Sequence, residues 1–105
     1  MQVHITGRHV EITDSIREHI YGKVERTLID FPRVEDVRIV LELQKLLHTV
    51  EVLVQGKNIH VEGKSSSENM YTSIDEALEK AERQLRKLRQ KVQDQHHHPD
   101  HLKGI

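Results

Sequence analysis

The apolar residues of this chain recur at two spacings, a strand period of two and a helical period near 3.6, and the order in which these alternate leaves few folds open. Val3 and Ile5 alternate with Gln2, His4 and Thr6, which predicts a short strand that Gly7 helps to close. After Ile12, either Thr13 or Asp14 is placed to cap a helix, with Ser15 and Glu18 at capping-box spacing. Ile16, Ile20, Val24 and Leu28 then step by four, and Phe31-Pro32 ends the helix because a residue before proline is pushed out of the helical region. Val37, Ile39, Leu41 and Leu43 alternate with Arg38, Val40, Glu42 and Gln44, and Val50, Val52 and Val54 repeat the pattern. These predict two strands joined through Lys45 to His48. A Gly56-Lys57-Asn58 turn leads to a fourth strand with Ile59, Val61 and Gly63 on one face, where glycine lets a helix approach closely. Ser65, Ser66 and Ser67 are expected to cap a long helix whose stripe is Met70, Ile74, Leu78, Ala81, Leu85, Leu88 and Val92.

The order is therefore β-α-β-β-β-α. Each strand has one apolar face and each helix one apolar stripe, so the economical α+β solution is a four-stranded mixed sheet with both helices on one face. The other sheet face is then wet. A helical crossover makes the first two strands parallel if they are neighbours, and the remaining hairpins antiparallel. The apolar period stops at Asp94, so residues 1–93 read as one domain and residues 94–105 as a flexible His-rich tail. With only Phe31, Tyr21 and Tyr71 as aromatics, the core must be mostly aliphatic. The absence of cysteine excludes disulfides, thiolate zinc sites and thiol nucleophiles. The longest apolar runs, Ile39-Val40-Leu41 and Val52-Leu53-Val54, are too short for a membrane span or a signal-peptide core, so a cytoplasmic protein is expected.

A formal charge of minus one hides a strong local imbalance. Between Lys80 and Lys91, the bases Lys80, Arg83, Arg86, Lys87, Arg89 and Lys91 face the single acid Glu82. At about 100° per residue, Lys80, Arg83, Lys87 and Lys91 form one ridge away from the apolar stripe. Asp75, Glu79 and Glu82 fall on a separate flank, and Glu76 alone sits among the bases. On the first helix, His19, Lys23 and Arg26 share one sector, away from Glu18 and Glu25. Two basic ridges on adjacent helices would suit a polyanion, because each base placed on a phosphate releases condensed counterions. The plainer reading is a solvated face laced with i, i+4 pairs such as Glu76-Lys80, Glu79-Arg83 and Glu82-Arg86.

Other clusters point less far. His96, His97, His98 and His101 would take up divalent transition metals, but a tail without fixed supporting groups gives adventitious affinity rather than a functional site. Glu42, Glu51 and Glu62 share the outer sheet face with His60, a pattern that fits a solvated surface better than acid-base chemistry. There is no Gly-rich phosphate loop, nucleophile elbow or zinc-protease motif, which leaves an enzyme little to work with. Met70 and Tyr71 open the second helix, where an aromatic could stack on a base, but both lie at the edge of the apolar stripe and are assigned to core packing. Lys45 and His48 are read as loop polar residues rather than as a second nucleic-acid contact.

Ile5-Thr6-Gly7 followed by Val10-Glu11-Ile12-Thr13, the pairs His48-Thr49 and Ile59-His60, and the stretch Glu68-Asn69-Met70-Tyr71-Thr72-Ser73-Ile74-Asp75 leading into Arg83-Gln84-Leu85 resemble the short ribosome hibernation promoting factors. The resemblance covers about residues 1–93. It implies a fold similar to double-stranded RNA-binding domains and binding to small-subunit rRNA in the decoding channel, over the messenger and the A-site and P-site tRNAs. Translation would be blocked in stationary phase and inactive ribosome dimers promoted beside ribosome modulation factor. The resemblance places rRNA contacts on Lys23, Arg26, Lys80, Arg83, Arg86, Lys87 and Lys91. It implies no cofactor, no catalytic residue, no small-molecule substrate and a monomer off the ribosome. The chain stops too early for the long form's dimerisation domain and lacks the acidic extension of the related translation inhibitor, so the short form is expected. The alternatives are an inhibitor that silences monosomes without dimerisation, a general double-stranded RNA binder and, most distantly, a metal-dependent enzyme.

Overall fold

Six elements follow one another as β1 (Gln2–Arg8), α1 (Asp14–Leu28), β2 (Val34–Gln44), β3 (Leu47–Gly56), β4 (Ile59–Ser67) and α2 (Met70–Lys103), in the expected order. This computed structural model describes the backbone of residues 1–103 and the side chains of residues 1–90. The strands form one four-stranded sheet in the order β1-β2-β3-β4. β1 runs parallel to β2 because α1 carries the chain back between them, and the two hairpins that follow are antiparallel. Val37, Ile39 and Leu41 of β2 stand beside Val54, Val52 and Val50 of β3 in direct register, and all are buried. A slip of one residue would turn this whole row to water.

Both helices cover that inner face. α1 contributes Ile16, Ile20, Val24 and Leu28, while α2 contributes Met70, Ile74, Ala77, Leu78, Ala81 and Leu85. Phe31 and Val34 close one end of the core. α2 lies directly on β4 at Gly63, where an added Cβ would run into the Ala77 carbonyl oxygen and meet the Ala81 nitrogen at 3.0 Å. Small residues on both sides thus set the helix-to-sheet spacing. Leu88 is half-buried, so the core fades after Leu85 while the helical backbone continues to Lys103. The domain boundary expected near residue 93 depends on side chains outside the described residues.

Three local expectations are corrected. Thr13 caps α1, its Oγ1 accepting the Ile16 N–H at 3.2 Å, so Ser15 and Glu18 sit inside the helix and form no capping box. The β2-β3 turn is only Lys45-Leu46, with Lys45 at φ 57°, and His48 belongs to β3 opposite Leu43. Ser65, Ser66 and Ser67 extend β4 rather than cap α2, because the strand alternation continues through them, with Ser65 buried and donating to Glu76 at 2.7 Å. Asn69 supplies the cap instead, its Oδ1 accepting from the N–H groups of Tyr71 at 2.9 Å and Thr72 at 3.3 Å.

Candidate nucleic-acid interface

α1 and α2 lie side by side and point the same way, so residues four apart on one helix meet residues four apart on the other. His19 Nε2 lies 2.7 Å from Asp75 Oδ1, and one turn further along Lys23 Nζ donates to Glu79 Oε2 at 2.8 Å. Beyond the end of α1, Arg89 donates to the Asp30 carbonyl at 3.1 Å and lays its guanidinium 4.6 Å from the centre of the Phe31 ring. The acidic flank of α2 therefore faces the basic flank of α1. The two expected basic ridges do not merge, because Asp75 and Glu79 stand between them.

The ridge of α2 proper behaves differently. Arg83 and Lys87 are exposed and form no ion pair among the described residues. Arg86 is paired with Glu82 at 2.6 Å, the one i, i+4 pair of the expected lacework that forms. Glu76 turns to Ser65, and Glu79 to Lys23. On the side of α2 toward β4, Lys80 Nζ donates to the Lys64 carbonyl at 2.8 Å. Gln84 binds both backbone groups of Glu62, donating to its carbonyl and accepting from its N–H. Lys80 thus meets a dipole and keeps its charge.

Of the sequence-derived contact residues, Arg83, Arg86 and Lys87 share the C-terminal part of α2, and Lys80 flanks them on the β4 side. Arg26 is exposed on α1 across the seam. Lys23 is half-buried and engaged with Glu79. Glu79 remains 46% exposed, and pairs that water reaches are worth about 1 kcal/mol or less, so Lys23 can exchange Glu79 for another anion at small cost. The side chain of Lys91 lies outside the described residues, as do those of His96, His97, His98 and His101. Among the described residues no three His, Asp or Glu side chains are grouped to hold a metal ion. On the outer sheet face Glu51 lies 3.8 Å from Lys64, while Glu62 and His60 are exposed.

Tyr71 departs from its expected place in the core. It remains 39% exposed, with its ring edge-to-face against His19 at a centroid distance of 5.0 Å. One residue of helical rotation separates it from the buried Met70 and turns it toward α1. Lys80 and Gln84 hold a role the sequence hid as well, since nothing in local spacing tells a helix side chain which strand edge it will reach.

Residues 3–93 match the family described as Sigma 54 modulation protein / S30EA ribosomal protein. The ribosome hibernation promoting factor of Pseudomonas putida is 34% identical over 93 residues, 89% of this chain and 91% of that protein. The factor of the same name from Escherichia coli K12 is 33% identical over 92 residues, 88% of this chain and 97% of that one. Among solved structures, a ribosomal subunit interface protein from Coxiella burnetii superposes with a TM-score of 0.80 at 26% identity, over 85% of this chain and 98% of that one. The N-terminal domain of Thermus thermophilus Protein Y gives 0.76 at 27% identity, over 84% and 99%. The likeness runs through both helices and all four strands, and the chain belongs to the Sigma 54 modulation protein / S30EA ribosomal protein family.

Proposed function

We propose that this chain is a ribosome hibernation factor that binds small-subunit rRNA in the decoding channel and blocks translation in stationary phase. Its family is one of ribosome-associated hibernation factors and not of enzymes. The observation that carries the reading is charge left uncancelled on the helix layer. Arg83 and Lys87 are exposed and without an ion pair among the described residues, and Lys80 is bonded only to a carbonyl. Such bases gain most from phosphate, because no carboxylate must first be displaced. Arg26, exposed on α1 across the acidic seam, adds a separate contact. Arg86 and Lys23 join by releasing Glu82 and Glu79, and Lys91 continues the ridge in sequence.

In this reading the bound factor covers the positions of the messenger and of the A-site and P-site tRNAs. It promotes inactive ribosome dimers beside ribosome modulation factor, and off the ribosome it is a cytoplasmic monomer. No described helix is long and apolar enough to cross a membrane. Residues 1–93 carry the activity, and residues 94–105 lie outside the contact.

The test is sedimentation of stationary-phase extract, blotting for the protein across subunit, monosome and dimer fractions, with a strain lacking the gene alongside. The protein should travel with small subunits and dimers, and the dimer peak should shrink without it. Recovery only in the ribosome-free supernatant would sink the reading. An undiminished dimer peak would replace dimer promotion by silencing of monosomes.

A further inference from the structure

Tyr71 stands where an aromatic ring is least needed for folding. The core beneath it is already filled by Met70 and Ile74, both buried, and the first turn of α2 is capped by Asn69 without help from the tyrosine side chain. Its hydroxyl has no hydrogen-bond partner among the described residues. The ring is nonetheless held. His19 lies against it in a T-shaped pair with an interplanar angle of 84°, and His19 is itself held by Asp75 at 2.7 Å. A T-shaped neighbour takes at most one face of a ring, so an aromatic that is 39% exposed keeps ring surface open to a flat partner.

The surroundings say which flat partner. Lys23 lies one turn beyond His19 on α1, and Arg83 lies twelve residues, about 18 Å, along α2 from Tyr71. Arg83 also lies about 120° around α2 from Tyr71, so a strand that leaves the basic ridge and crosses α2 toward α1 brings several nucleotides to the ring, where an unpaired base can stack on tyrosine whatever its identity. We propose that Tyr71 is a stacking platform for an unpaired RNA base and that His19 is its positioning residue. This inference rests on the rRNA reading above and adds to it a contact that does not depend on charge.

That independence supplies the test. Binding to purified small subunits is measured across a salt series for the wild type, Lys87→Ala, Tyr71→Phe, Tyr71→Leu and His19→Ala, with a thermal melt of each. Tyr71→Leu should weaken binding roughly tenfold or more with an unchanged log-log salt slope, because no counterion is involved. Tyr71→Phe should bind like the wild type, and His19→Ala should fall between them. Lys87→Ala should instead lower the slope by roughly one.

Full binding by a folded Tyr71→Leu, with Lys87→Ala still impaired, would overturn the stacking proposal and leave the rRNA reading standing. Wild-type behaviour of Lys87→Ala as well would overturn the reading itself. A second measurement covers the case in which Tyr71→Leu does not fold. The chain has two tyrosines and no tryptophan, so Tyr21→Phe leaves Tyr71 as the sole emitter. Its fluorescence should be quenched by a mixed-sequence single-stranded oligoribonucleotide and not by the corresponding duplex. Quenching by neither, or equally by both, would overturn the proposal.

Discussion

Along the seam with α1, the carboxylates of α2 meet ionisable side chains, Asp75 against His19 and Glu79 against Lys23. Along the opposite flank, Lys80 and Gln84 meet the backbone of β4. The two flanks use contacts of similar length, but their electrostatic results differ. Lys23 and Glu79 cancel each other's charge at the seam, whereas at β4 a cation meets a neutral carbonyl and its charge persists. A helix layer with almost as many acids as bases thereby keeps uncancelled positive charge locally, at Lys80, Arg83 and Lys87 of α2. The β4 contacts have a second effect. β4 is an edge strand, and its outward N–H and C=O groups would otherwise offer a template for another strand.

Both flanks depend on α2 lying flat on the sheet, so the harshest way to break the comparison is to lift it. Ile74 is fully buried between the helices and the sheet. Ile74→Asp places an unpaired charge there at a cost of several kcal/mol, comparable to the whole stability of a small domain. The variant should show no cooperative thermal transition by far-UV circular dichroism. Next in size is removal of the persistent charge. Arg83→Ala combined with Lys87→Ala should lower the log-log salt slope of small-subunit binding by roughly two and weaken binding at low salt, without moving the melt by more than a few degrees. An unchanged slope would mean that the ridge is only a solvated face.

Most of the fold was legible because it rests on periodicity. The stripes of both helices, the inward rows of β2 and β3 and the close approach at Gly63 all follow from spacing within single segments. The misreadings share one cause. Ser65 to Ser67 are good caps by residue type, but the strand alternation through them outweighed local preference, and Asn69 was nearer the helix start. Tyr71 sits one position from a buried methionine, and a wheel drawn for an isolated helix cannot place the second helix that shields one side of it. The site divides the same way. The ridge of Arg83 and Lys87 was visible in one helix, but the pairing of Lys23 with Glu79 joins residues 56 apart in sequence, and the anchoring of Lys80 needs the position of β4.

The β4 flank is sharpened by Gln84→Ala. Gln84 gives the Glu62 peptide both a donor and an acceptor, and those backbone groups return to water when the amide is lost. An exposed contact of this kind is worth about 1 kcal/mol, so the melt should fall by a few degrees. The more telling readout is self-association, measured by analytical ultracentrifugation over a concentration series. The variant should show a weak dimer that the wild type does not, because the edge is left open. An unaltered monomer would show that Lys80 and the twist of the strand are sufficient protection.

The smallest effect belongs to the seam, and its sign is what matters. Glu79→Gln removes the partner of Lys23 without disturbing the core, since both side chains lie outside the buried cluster. The lost pair is worth under about 1 kcal/mol, so stability should scarcely change. Binding is expected to move the other way from any loss on the ridge. Lys23 no longer has to leave a carboxylate before reaching a phosphate, and the local field becomes more positive by one charge. Affinity for small subunits should be unchanged or slightly raised, with the same salt slope, while Lys23→Ala should weaken binding less than Lys87→Ala does. A fall in affinity for Glu79→Gln equal to that for Lys87→Ala would mean that the pair holds Lys23 in its binding position, and the seam would then belong to the interface rather than beside it.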